Sequence, residues 1–171
     1  MNPNACCFTG HRNIRKEDEE KIRAGIREQV LIQLEHGIVT FYVGGAVGFD
    51  MLAAEVLLEL REQEGKALRL VSVLPFLEWR ERWPAEEKER EDRILERSDE
   101  ISFMDGKIIR RTYLDRDRKM VDESSVCIAW CTRRSGGTAY TIRYALKNEI
   151  QVINLADWDI RILTEEAVKK T

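Results

Sequence analysis

Val39-Thr40-Phe41-Tyr42-Val43-Gly44-Gly45-Ala46-Val47-Gly48-Phe49-Asp50 is the stretch that decides the fold. Its first five residues are β-branched or aromatic and read as a strand that stops abruptly at Gly44-Gly45. Leu52, Ala53, Val56, Leu57 and Leu60 then make one face of a helix, with Gly65 beyond it as a stop. A strand, a glycine loop and a helix in immediate succession form the repeating unit of a parallel sheet.

The unit recurs in both directions along the chain. Upstream, Ala5-Cys6-Cys7-Phe8 ends at Thr9-Gly10 and leads to a helix whose Ile22, Ile26, Val30 and Leu34 recur every four residues. Downstream, Leu70–Leu74 is a strand ended by Pro75, and most of the charged stretch from Glu78 to Glu100, with Trp79 and Trp83, reads as a solvated helix. Ile101–Phe103, Val126–Trp130 and Val152–Leu155 are further strands; Tyr113–Asp122 and Thr138–Lys147 are further helices. Alternating strands and helices imply βαβ units with right-handed crossovers. The expected fold is α/β and Rossmann-like: a doubly wound, mostly parallel sheet with helices on both faces, in one domain spanning residues 1–171. The strands lack clean polar alternation, as strands covered on both faces should.

Composition bounds the function classes. Hydrophobic residues make up 43% and charged residues 35% of the 171, enough for a core beneath a heavily charged surface. The net charge of −3 provides no overall basic field, so the expected partner is a small-molecule nucleotide ligand rather than nucleic acid. No cationic leader opens the chain and no apolar run approaches the ~20 residues of a membrane span, which points to a cytoplasmic protein without a membrane partner. A homo-oligomer stays open. Cys6, Cys7, Cys127 and Cys131 lie in strand-like segments and read as reduced, packed thiols. With His11 and His36 they show no paired spacing of the kind zinc requires, so no metal site is expected.

Chemistry collects in three loops after predicted strands: Thr9-Gly10-His11-Arg12, Gly44 through Asp50, and Ser135-Gly136-Gly137-Thr138. In a parallel sheet all strand carboxyl ends lie along one edge, so these loops should converge. The latter two lead into helices, whose first N–H groups lack internal partners and whose dipole favours an anion; glycine lets that backbone approach a phosphate. A phosphate is therefore expected on either helix terminus, cradled by Gly44, Gly45, Gly136, Gly137 and Thr138. Arg12 supplies a planar fork for two oxygens, and Arg116 a second charge. His11 reads equally as a ligand donor and as a structural histidine. Asp50 suits either the helix dipole or a ribose hydroxyl. Asp122, late in its helix, calls for a specific partner. Neither loop matches the P-loop pattern or G-x-G-x-x-G, which disfavours ordinary nucleoside-triphosphate hydrolysis and hydride transfer. Lys107, Arg110, Arg111, Arg116, Arg118 and Lys119 read as a solvated face with one arginine pointing inward.

Phe8-Thr9-Gly10-His11-Arg12, Gly44 through Asp50 with Ala53-Ala54-Glu55, Arg116 through Asp122, and Gly136-Gly137-Thr138 with Thr141 and Tyr144-Ala145 resemble, in order and spacing, the YpsA-like branch of the SLOG superfamily. The resemblance runs from about Cys7 to Ile153. It implies a Rossmann-like fold that binds nucleotides or NAD- and ADP-ribose-like ligands, as a sensor for example. The superfamily also holds the Lonely Guy phosphoribohydrolases, which cleave a nucleoside monophosphate, and DprA-like proteins that handle single-stranded DNA; these are the two alternative functions. Arg116 and Met120 keep the phosphoribohydrolase spacing, but Thr141-Ile142-Arg143-Tyr144 stands where those enzymes carry acids, and Asp117 follows Arg116 where relatives often have asparagine. That leaves Asp50, Glu55 and Asp122 as the candidate catalytic carboxylates. No cofactor beyond the nucleotide or NAD-derived ligand itself is implied.

Overall fold

The computed structural model describes residues 4–104 and 110–164, with the side chain of Arg110 outside the description. Six strands, β1 (Ala5–Gly10), β2 (Thr40–Val43), β3 (Arg69–Leu74), β4 (Glu100–Phe103), β5 (Val126–Trp130) and β6 (Gln151–Asn154), form one sheet in the order β4-β3-β2-β1-β5-β6. Every pairing is parallel, so the sheet is wholly rather than mostly parallel. From β1 the chain winds outward through β2 and β3 to β4, then returns to lay β5 on the other side of β1. β1 and β5 therefore flank a topological switch point, with Thr9 opposite Ala129 and Gly10 opposite Trp130.

Alternate strand residues feed two cores, because successive side chains leave a strand on opposite faces. Cys6, Phe8, Phe41, Val43, Leu70 and Ile128 pack under α1 (Glu19–Glu35), α2 (Phe49–Glu64) and α3 (Ala85–Arg97). Ala5, Cys7, Tyr42, Val71 and Cys127 pack under α4 (Arg110–Asp122) and α5 (Gly137–Lys147), where they meet Met120, Val121 and Ala145. Both faces are covered, which is why the strands read as continuous apolar runs. All four cysteines are free and buried in these layers. No helix among the described residues is long and apolar enough to cross a membrane.

The segment from Glu78 to Glu100 departs from its expected helix. Turns closed by Trp79 N–H to Phe76 O, Glu81 N–H to Glu78 O and Trp83 N–H to Arg80 O occupy its first part, and α3 starts only after Pro84. Proline lacks the N–H a helix interior needs and is tolerated where a helix begins. Trp79 and Trp83 are consequently partly buried in a turn, edge to face with centroids 6.1 Å apart, and not on a helix face. In the basic stretch, Arg116 is the buried arginine while Arg111 and Arg118 are exposed; Lys107 and the Arg110 side chain lie outside the described residues.

Candidate functional site

A cleft of about 230 Å³ opens at the carboxyl ends of β1 and β5, at the switch point. Thr9, Gly10, His11 and Arg12 line it from the β1 loop, Ala46 and Asp50 from the β2 loop and α2, Arg116 and Asp117 from α4, and Arg133, Gly137 and Thr138 from the β5 side. Residues of all three glycine-bearing loops thus meet in one place.

The β1 and β2 loops are locked together by their backbones. A Cβ on Gly10 would collide with the Phe49 ring, and one on Gly48, whose φ is +80°, with the Arg12 carbonyl. Phe49 N–H donates to His11 O at 3.2 Å, so the first N–H of α2 is already taken. Gly44 N–H donates to Asp50 Oδ2 at 3.0 Å. Of the two helix termini on which a phosphate was expected, the α2 one thus has its first N–H occupied by the protein itself. Gly44 and Gly45 do not line the cleft, and their glycine identity has steric causes. A Cβ on Gly44 would stand 2.8 Å from Asp50 Oδ2 and 3.1 Å from Arg116 Nε. Gly45, at φ +65°, backs onto Leu74, and its carbonyl accepts the Trp79 Nε1–H at 2.8 Å.

The α5 terminus is uncrowded at its first residue. Gly136, at φ +97°, precedes the helix, and nothing lies within 4 Å of where a Cβ of Gly137 would stand. Arg133 Nε is 3.8 Å from the corresponding position on Gly136. Gly136 itself is exposed at the rim and not part of the lining. Gly137 and Thr138, at the positive end of the α5 dipole, line the cleft with the exposed Arg133 beside them.

Arg116 ties the loops to α4 and α5. Its Nη1 donates to Gly44 O at 2.6 Å and its Nε to Asp117 Oδ1 at 3.0 Å. Thr141 Oγ1 lies 3.2 Å from Asp117 Oδ2 and 2.9 Å from Gly137 O, so the network reaches the first turn of α5. Arg12 is exposed, its guanidinium 5.1 Å from the centre of the Tyr113 ring, while that of Arg116 is 5.5 Å from the same centre. Burial pushes the Asp50 carboxyl up to about 6, against the pull of the Arg116 guanidinium. Burial also lowers the His11 pKa, with the Arg133 charge adding to it. His11 is thus a neutral imidazole, and its Nε2 accepts the Thr132 N–H at 2.9 Å. It joins the β1 loop to the β5 loop.

Of the three candidate carboxylates only Asp50 reaches the cleft. Glu55 pairs with Arg23 and Arg90, joining α1, α2 and α3. Asp122 has the specific partner its position calls for, but outside the site: it accepts the Tyr144 O–H at 2.6 Å, linking α4 to α5. Arg133 and Asn13, both lining, were not singled out from the sequence. Each stands within three residues of a loop that was, so proximity to the glycine loops was the available signal. Asp117, which stands where relatives often have asparagine, is held by Arg116 and Thr141.

The UPF0398 protein BH1768 of Halalkalibacterium halodurans is 26% identical over 150 residues, covering 84% of this chain and 75% of its own. A UPF0398 protein of Bacillus pumilus is 34% identical over 87 residues, 49% of this chain and 46% of its own. Among solved structures, DNA processing protein A from Helicobacter pylori, described for its single-stranded DNA binding mode, has the same fold: TM-score 0.62 at 20% identity, over 99% of this chain and 73% of that one. DNA processing protein A from Streptococcus pneumoniae matches at TM-score 0.62 and 14% identity, over 99% and 56%. These neighbours correct the expectation that acidic net charge sets nucleic acid aside. A protein described as binding single-stranded DNA is built on this fold, and whole-chain charge does not describe an edge where Arg12, Arg116 and Arg133 gather. Residues 6–166 match the sequence profile of the YspA SLOG family, and the chain belongs to that family.

Proposed function

We infer that the switch-point cleft binds the phosphate of a nucleotide or an NAD- or ADP-ribose-like ligand on the amino terminus of α5, as a sensor or carrier. The observation that carries this reading is the contrast between the two helix termini. The first N–H of α2 is used by His11 O, whereas the start of α5 lines the cleft through Gly137 and Thr138, is clear of other atoms at Gly137, and shares the lining with Arg133 and Arg12. Arg116 sets the shape of the site, since its buried guanidinium is held by Gly44 O and Asp117. Asp50 and Asp117 offer acceptors for ribose hydroxyls.

Calorimetry with AMP and ADP-ribose tests the reading, with Arg133→Ala as the variant because Arg133 is exposed and its loss leaves the fold intact. Loss of a charge-assisted hydrogen bond should weaken binding roughly 10- to 150-fold. Equal affinity in variant and parent would remove the α5 terminus as the phosphate site. Chromatography of the AMP mixture tests the phosphoribohydrolase alternative, for which free base is the required product.

A second reading, single-stranded nucleic acid, is favoured by the continuation of the cleft on both sides. Arg12 and Asn13 also line a cavity beside Trp83, and Asn13 and Arg133 one that holds Lys21 and Trp130. Basic residues interleaved with aromatic ones suit a strand of stacked bases. Retention of an oligonucleotide that falls steeply with salt would support it.

A further inference from the structure

We propose that the cavity beside Trp83 is a base slot: the nucleobase of a nucleoside phosphate packs against Trp83 there while its phosphate occupies the α5 terminus. This rests on the phosphate reading of the switch-point cleft and extends it to a second, separate cavity.

The slot has a volume of about 310 Å³ and adjoins the cleft through Arg12 and Asn13, which line both. Both cavities are rich in charged groups, but only the second has a tryptophan in its lining. The first has its arginines and a helix terminus; the second has Trp83, Ile14, Val47 and Leu52 beside Arg82, Arg90, Glu19 and Glu87. A ligand with one anionic end and one flat apolar end matches that division, and a nucleoside phosphate is such a ligand. A polar acceptor is also present at the slot: the side chain of Glu87, half-buried on α3, has no hydrogen bond or ion pair among the described residues. The charge of Arg90, by contrast, is answered by Glu55. Arg82 and Arg90 stand in the same lining as Glu19 and Glu87, so charges of both signs surround the ring.

The aromatic wall is held in register with the phosphate cleft. Trp83 packs edge to face on Trp79, and Trp79 Nε1–H is bonded to Gly45 O in the same loop whose Gly44 carries Asp50 and Arg116. Arg12 stands between the cavities with its guanidinium over Tyr113, which fixes the boundary a ribose would cross. The turn that puts Trp83 here exists because Pro84 delays the start of α3.

The test is calorimetry of AMP and ribose 5-phosphate with the parent, Trp83→Ala and Trp83→Phe, alongside melting curves. Stacking on an aromatic ring predicts that the parent binds AMP about tenfold or more tighter than ribose 5-phosphate. Trp83→Ala should abolish that preference while leaving ribose 5-phosphate affinity unchanged, and Trp83→Phe should keep most of it. Equal affinity of the parent for the two ligands overturns the base slot and leaves the phosphate site standing. A Trp83→Ala variant that weakens both ligands alike, or a Trp83→Phe variant that behaves as the alanine one, overturns the slot as well. Binding of neither ligand by the parent overturns both readings. The parent's AMP to ribose 5-phosphate ratio decides the matter even where a variant fails to fold.

Discussion

Gly45 and Gly137 read alike in the sequence, as phosphate-cradling glycines, and the structure separates them. Any side chain at Gly45 must adopt φ +65° and collide with Leu74. Gly45→Ala should therefore lose at least about 2 kcal/mol of stability in a denaturant titration. Gly137→Ala meets nothing within 4 Å at a helix start and should be within about 0.5 kcal/mol of the parent, or above it, while Gly137→Val obstructs the open terminus and weakens phosphate binding. Equal melting curves for Gly45→Ala and the parent would contradict the steric account. Glu91 makes a second prediction at this scale. It is 1% exposed on α3, its Oε1 has no hydrogen-bond partner among the described residues, and burial, with the Asp50 charge adding, pushes its carboxyl from 4.5 up to about 7. The folded protein keeps this proton to a higher pH than the unfolded chain does. The stability contributed is thus full below about pH 4.5 and lost as pH rises toward 7, on the order of 3 kcal/mol. Glu91→Gln should flatten the pH profile of stability across that window and exceed the parent at pH 8; a profile identical to the parent's would contradict the burial of an ionisable carboxyl.

Among the helices, the carboxylates that lie outside the cleft have assignable structural work. Glu55 holds Arg23 of α1 and Arg90 of α3 to α2, and the three side chains are only 25–30% exposed. Glu55→Gln should cost about 1–2 kcal/mol of stability, discounted for this partial exposure, with ligand affinity unchanged. Asp122→Asn, at an exposed contact with Tyr144, should change stability by less than about 1 kcal/mol and leave binding unchanged. Ligand affinity that falls with either variant would return these carboxylates to the site. The elements themselves were legible because the central strands β1, β2, β3 and β5 are short apolar runs and the helices carry apolar residues at helical spacing. The start of α3 was not, because the alternating charges from Glu78 onward continue a helix-like pattern through Pro84, whose backbone restriction outweighs it. Nor was the fate of Glu55 legible, since ion pairs between helices distant in sequence leave no local pattern. Arg133 shows the same limit on a smaller scale: it belongs to an exposed loop, where a charged residue is the ordinary choice, and only the approach of the β1 loop makes it part of a cleft.

For the whole molecule, the parallel sheet follows from alternating strands and helices, but the strand order does not. That β5 returns to the far side of β1, and so creates the switch point where the cleft opens, depends on which sheet edge is vacant once β4 has formed. The convergence of the three loops was accessible because it needs only that all strands run the same way. The net charge of −3 misdirected the reading of partners, since it averages the acidic helices with an edge rich in arginine. What distinguishes the site at this scale is that Gly137 and Thr138 at the start of α5 line it, while the first N–H of α2 is bonded within the protein. Amide chemical shifts followed by NMR during titration with AMP test this most directly: the account predicts that the largest, saturable shifts fall on the N–H groups of Gly136, Gly137 and Thr138, with those of Gly44 and Phe49, already bonded within the protein, moving little. Largest shifts at Gly44–Phe49, or no saturable shift at the start of α5, would contradict it.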